Sequence, residues 1–92
     1  MWKCNNKFFQ TQEEARNEAL KDIQYSYNYY LNKSISPDFR TWVSKIKEKI
    51  QVKNNIKYYT LYFYDYWQHN TWNDYHKSIH SISYREINVE NT

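Results

Sequence analysis

The sequence predicts an α+β protein: a small antiparallel sheet with a helical hairpin packed on one face, in the order β-α-α-β-β, with a possible extra hairpin at the N-terminus. Three observations carry that expectation. Ile56–Trp67 reads IKYYTLYFYDYW, an aromatic run suited to a pleated strand. Thr11-Gln12-Glu13-Glu14 is a helix-opening capping box before a stretch with helical apolar spacing. Ser36-Pro37 precedes a second stretch in which Phe39, Trp42, Val43, Ile46 and Ile50 recur at helical intervals.

Met1–Phe9 reads as a short strand or hairpin, with Asn5-Asn6 as the turn signal. The first helix is expected from about Gln12 to Asn32. At 100° per residue, Ala15, Ala19, Leu20, Ile23, Tyr27, Tyr30 and Leu31 share one face. Tyr25 and Tyr29 lie off that arc and face out. The second helix is expected over residues 37–50, with lysine stems flanking its apolar stripe. Asn54-Asn55 marks a turn into the aromatic strand. Gln68–Asn73 reads as a loop and His76–Val89 as a returning strand. A hairpin centred near residue 71 would set Asp65 opposite Lys77 and Phe63 near Ile79. Residues 72–82 also fit a short helix capped by Thr71. The strand reading is preferred because Ser, Ile and Tyr favour extended backbone. Glu90–Thr92 reads as a frayed end.

Ninety-two residues suit a single domain spanning 1–92. Eleven tyrosines, no glycine and one proline set its character. The abundance of Asn, Lys, Ile and Tyr points to a gene from a low-GC genome, bacterial or viral. With few aliphatic side chains, aromatic rings must complete the core. Cys4 is the one cysteine, so an internal disulfide is ruled out. That, and the lack of a secretory hydrophobic segment, places the expected location in the cytoplasm. No apolar run is long enough to span a bilayer, and no membrane partner is expected.

The net charge of +3 is unevenly placed. Residues 33–57 carry Lys33, Arg40, Lys45, Lys47, Lys49, Lys53 and Lys57 against Asp38 and Glu48. This basic patch could attract phosphate or an acidic protein face. A chain without glycine cannot build a phosphate-cradling glycine loop. Cys4 has no activating neighbour in sequence. His76 and His80 stand four apart, near His69 and Asp74, but a zinc site needs a third ligand and a supporting shell. No cofactor, metal or catalytic residue is therefore assigned.

The candidate site is the tyrosine face of the aromatic strand. Alternation sets Tyr58, Tyr62, Tyr64 and Tyr66 on one side and Tyr59, Leu61, Phe63 and Trp67 on the other. Rings that end in hydroxyls suit a binding surface. Trp67, Trp72, Tyr25 and Tyr29 are secondary candidates. The expected partner is a protein, either a nucleic-acid-handling host complex or a second copy of the chain. Nucleic acid is the alternative, through the basic segment, but a second helix packed behind the sheet would separate those lysines from the tyrosines.

In size and composition the chain resembles the small inhibitors that phages and mobile elements direct against bacterial defences, of which anti-CRISPR proteins are the best known. The resemblance implies a non-enzymatic protein that blocks a defence nuclease complex in the host cytoplasm. It involves no motif, so no residue roles follow from it. The order of elements is also similar to that of RelE/ParE-type toxins, in which basic, histidine and tyrosine side chains on the C-terminal strands act on RNA. His76, His80, Tyr84 and Arg85 are the positions that would correspond.

Overall fold

The computed structural model describes residues 1–88, so the expected end of the last strand at Val89 and the frayed Glu90–Thr92 lie outside the described residues. The elements are β1 (Trp2–Cys4), β2 (Lys7–Phe9), α1 (Gln12–Leu31), β3 (Phe39–Val43), β4 (Lys47–Lys53), β5 (Ile56–His69) and β6 (His76–Glu86). The strands form one sheet in the order β2-β1-β6-β5, with β3 and β4 both lying along the far side of β5. Every pairing is antiparallel. The fold is α+β, as expected, with an N-terminal hairpin.

The helical hairpin is not formed: the described residues contain one helix, and residues 37–50 fold as β3 and β4. The physical reason is a bulge. Val43 pairs with Asp65 and Lys47 with Tyr62, so three residues, Ser44–Ile46, span the space of two on β5. The extra residue reverses the in/out alternation. Phe39, Thr41 and Val43 face α1 before the bulge, and Ile46, Glu48 and Ile50 face it after. Val43 and Ile46, three apart, therefore share a face, and both pack against the core. A strand with a bulge thus reproduces the spacing of a helical stripe. Ser44 seals the irregularity. Its amide donates to the Tyr64 carbonyl, and its hydroxyl accepts from the Tyr64 amide, each at 2.9 Å.

Helix α1 begins as the capping box requires. The Thr11 hydroxyl accepts from the Glu14 amide at 3.2 Å and donates to the Glu14 carboxylate at 3.0 Å. Ala15, Ala19 and Ile23 are buried against the sheet, where small side chains allow close approach. Tyr27 and Tyr30 complete the contact, edge-on or tilted against Phe63. Leu20 and Leu31, expected on this face, are exposed. The buried apolar set is Cys4, Ala15, Ala19, Ile23, Leu61, Phe63 and Tyr84.

The β5–β6 hairpin forms as the preferred reading held, with a register one residue away from the expected one. Asp65 lies opposite Ser78, Phe63 opposite His80, and Lys77 opposite Tyr66. A one-residue slip exchanges faces. Lys77 therefore stands on the tyrosine side, away from Asp65. At the other hairpin, Asn54 and Asn55 take φ of 53° and 64°, and Asn5 takes 55°. In a chain without glycine, asparagine fills these left-handed positions at the lowest steric cost.

Candidate functional site

The sheet has two unlike faces. Alternation along β5 and the register of its neighbours put Tyr59, Leu61, Phe63, Asp65 and Trp67 toward α1. Tyr58, Thr60, Tyr62, Tyr64 and Tyr66 point to the opposite side, which no element among the described residues covers. On that open face the rings form a connected series. Tyr62 meets Tyr64 edge-on at 6.0 Å, and Tyr64 lies 6.3 Å from Tyr66. Tyr66 stacks flat on Trp42 of β3 at 5.2 Å and 4°. Tyr75, from the β5–β6 turn, closes edge-on against both.

The same face holds the cations. Arg40, Lys47, Lys49 and Lys53 reach it from β3 and β4, because alternate residues of those strands share the parity of the even-numbered tyrosines. Lys77 and Arg85 join from β6, and Lys3 from β1. Several sit directly on rings: Lys49 over Tyr62 at 4.7 Å, Lys77 over Tyr64 at 5.0 Å and Arg40 over Trp42 at 4.5 Å. The acidic residues of the described strands, Glu48, Asp65 and Glu86, all fall on the helix side. Glu48 is paired there with Arg16. The open face is therefore cationic and aromatic, with no strand carboxylate among the described residues. The expected separation of lysines from tyrosines does not occur, since the lysines belong to strands.

The remaining candidates are scattered. Lys45 is in the bulge, and Lys57 lies on the helix side over the Tyr59 ring at 6.0 Å. Trp67 lies within β5 and not in a loop, stacked on His76 at 5.5 Å on the helix side. Trp72 is in the turn, edge-on to Phe39 at 5.6 Å. Tyr25 and Tyr29 are exposed on the outer side of α1, 79% and 59% accessible, with the sheet between them and the open face. Trp42, Tyr75, Lys77 and Lys3 belong to the open face and were not singled out from sequence as site residues; Arg85, also on this face, was named only for its likeness to a toxin position. The two-residue period of Lys47, Lys49, Gln51 and Lys53 is the signal that could have found the lysine row.

The histidines are occupied individually. His80 pairs with Asp65 at 2.7 Å, stacks on Phe63 and lies tilted against Tyr30. The His69 Nδ1 accepts from the Thr71 amide at 3.2 Å. Among the described residues no three His, Cys, Asp or Glu side chains converge as metal ligands. The positions matched to RelE/ParE-type toxins do not assemble: His76, His80 and buried Tyr84 face the helix, and Arg85 faces the other way. Burial pushes the Tyr84 phenol above its ordinary range, opposed by a hydrogen bond from Gln12. No helix among the described residues is long and apolar enough to cross a membrane. No family model, curated protein or solved structure matches the chain.

Proposed function

We propose that the open face binds single-stranded nucleic acid and that the protein acts by binding, without catalysis. One observation supports this above the others: a continuous series of rings and a set of cations share one uncovered sheet face that carries no strand carboxylate. Bases stack on tyrosine and tryptophan whatever their sequence, at about 1–3 kcal/mol each. Lysines and arginine on the adjoining strands neutralise the backbone. A twisted sheet suits a flexible strand whose bases can splay onto it. A duplex hides its bases and offers this face its phosphates alone.

The test is fluorescence anisotropy with a labelled twelve-residue oligo(dT), an oligo(U) and a duplex. Four phosphate contacts at about 0.7 each give a log–log salt slope near −3, or about a fifty-fold loss from 50 to 200 mM salt. Replacing Tyr62 and Tyr64 together by alanine should weaken binding by more than about 2 kcal/mol with the fold retained. Lys47→Ala with Lys49→Ala should flatten the slope. Equal affinity for duplex, or binding insensitive to salt, overturns the reading.

A protein partner is the second reading, favoured by Tyr25 and Tyr29. They stand exposed on the far surface, away from the cations, and tyrosine buries much area with few rotors. An inhibitor of a nucleic-acid-handling host complex would hold the complex through that helix surface while the sheet competes for its nucleic acid. Loss of capture of such a complex on Tyr25→Ala with Tyr29→Ala, with oligonucleotide binding unchanged, would support it.

A further inference from the structure

One side of β6 is only partly used. The strand pairs with β5 from His76 to Tyr84, and with β1 only from Tyr84 to Glu86. On the β1 side, residues 76–82 meet no strand among the described residues. The Ile87 amide donates to the Met1 carbonyl at 2.8 Å, which fixes the direction of the odd-numbered backbone groups. By alternation, the amides and carbonyls of Lys77, Ile79 and Ser81 point outward along this edge. The register is unbroken from His76 to Glu86, so the edge has no bulge. It has no proline, and Lys77 is the only Lys, Arg, Asp or Glu over residues 76–82. Sheet edges are ordinarily blunted by shortness, charge or bulges. β2 has three residues, and β3 and β4 carry four cations and the bulge between them. The β6 edge lacks that protection.

A groove of about 550 Å³ runs beside this edge. Ile79 and Ser81 of the open face and His80 and Ile82 of the helix side all line it, so it follows the edge of the strand and not one face. Asp22 and Tyr25 of α1 also line it. The Asp22 carboxylate accepts from the Asn5 amide group at 2.7 Å and has no ion pair among the described residues.

We propose that the β6 edge docks a short extended segment of another protein, antiparallel to β6, with a basic side chain toward Asp22 and apolar β-branched side chains beside Ile79. A row of outward amides and carbonyls at two-residue spacing is met by backbone in the extended form. At about 3.3 Å per residue, the free edge is about 20 Å long, room for six or seven residues. The side chains of such a segment alternate between the faces. Those on the helix side enter the groove beside the unpaired charge of Asp22, and those on the open face lie by Ile79, which is 48% exposed. A second copy of the chain fits this edge poorly. Pairing β6 with β6 along the free length would drive the β1–β2 hairpin of one copy into residues 70–75 of the other. The contact is separate from both functions proposed above: oligonucleotide binding uses the open face, and a partner held by Tyr25 and Tyr29 alone would leave this edge unpaired.

The probe is the capped peptide Thr-Val-Arg-Val-Thr-Val-Thr, titrated into the ¹⁵N-labelled full chain and followed by two-dimensional NMR with amide exchange. Saturating peptide should slow exchange at Lys77, Ile79 and Ser81 at least tenfold, with little change at Ser78 and His80, whose amides already face β5. In antiparallel pairing the valine amides face β6 and the threonine amides face away. N-methylation of the valines should therefore abolish binding, and N-methylation of the threonines should change it by less than threefold. Glutamate in place of the arginine should weaken binding at least fivefold, and Asp22→Asn should remove most of that difference. No saturable binding of the arginine peptide, equal loss from the two methylated peptides, or protection confined to other amides overturns the proposal. A chain that sediments as a dimer, with Lys77, Ile79 and Ser81 protected before peptide is added, overturns it in favour of a second copy.

Discussion

Cys4 shows how position, more than residue type, sets chemistry. Its side chain is 1% exposed, between β2 and β6 and under α1. Burial pushes the thiol from 9.0 up to about 11, and Asp22 and Glu18 add to the rise while Lys7 opposes it. The folded state thus holds its proton more tightly than the unfolded chain. The resulting stability is fully present below about pH 9 and is lost as pH rises toward 11. Melting curves should therefore fall more steeply over that window in the wild type than in Cys4→Ser. At pH 8 the native thiol should react with Ellman's reagent at least tenfold more slowly than in guanidinium. Asparagine offers a second test at this scale. Asn55 sits at φ 64° in the β4–β5 turn, where glycine is the residue best suited to the second position. Asn55→Gly should raise stability by up to about 1 kcal/mol in urea unfolding, and a loss would mean that the Asn55 side chain itself holds the turn.

Among the elements, the bulge between β3 and β4 decides the most. Ser44→Ala removes the hydroxyl that accepts from the Tyr64 amide and leaves that donor unpaired. The expected loss is about 1–2 kcal/mol, with faster hydrogen exchange at Tyr64; unchanged exchange there would show that the hydroxyl is dispensable. The same bulge marks where the sequence stopped being readable. α1 was legible because Thr11 and Glu14 announce its start and Ala15, Ala19 and Ile23 keep a helical period. β5 and β6 were legible from aromatic and β-branched composition. The segment 39–50 was not, because the local pattern cannot distinguish a 3.6-residue period from a two-residue period interrupted by one extra residue. Thr41-Trp42-Val43 and Ile50-Gln51-Val52 favour strand, a propensity overridden in the sequence reading by Ser36-Pro37. The tyrosines that β5 gives the candidate site were legible for the same reason as β5, whereas Trp42 and Tyr75 were not. Its charge was not, because which face a lysine occupies depends on register: residues 37–50 were read as a helix and not as two strands joined by a bulge, and the β5–β6 hairpin was placed one residue away.

At the scale of the whole molecule, the shape is long for the chain. The Cα radius of gyration is 16.6 Å, against about 12 Å for a compact chain of this length, and the extents are 57 × 24 × 18 Å. A 14-residue strand spans about 46 Å, and a 20-residue helix covers about 30 Å of it. The buried core is correspondingly small, so a ligand on the open face should matter to stability. At one hundred times its dissociation constant, a single-stranded oligonucleotide would add about 2.7 kcal/mol. For a domain this size that raises Tm by about 10 °C or more, and a duplex at equal concentration should raise it less. An identical shift from both would argue against stacking. Breaking the outermost ladder has one more effect. β5 combines strong extended propensity with little charge, the composition from which cross-β fibres grow. It is flanked on one side by β6 and on the other by β3 and β4, whose outward rim is kinked at Ser44–Ile46 and studded with Lys45. A further chain cannot zip onto a rim that is out of step and positively charged, so the kink acts as a gatekeeper against aggregation of a tyrosine-rich sheet.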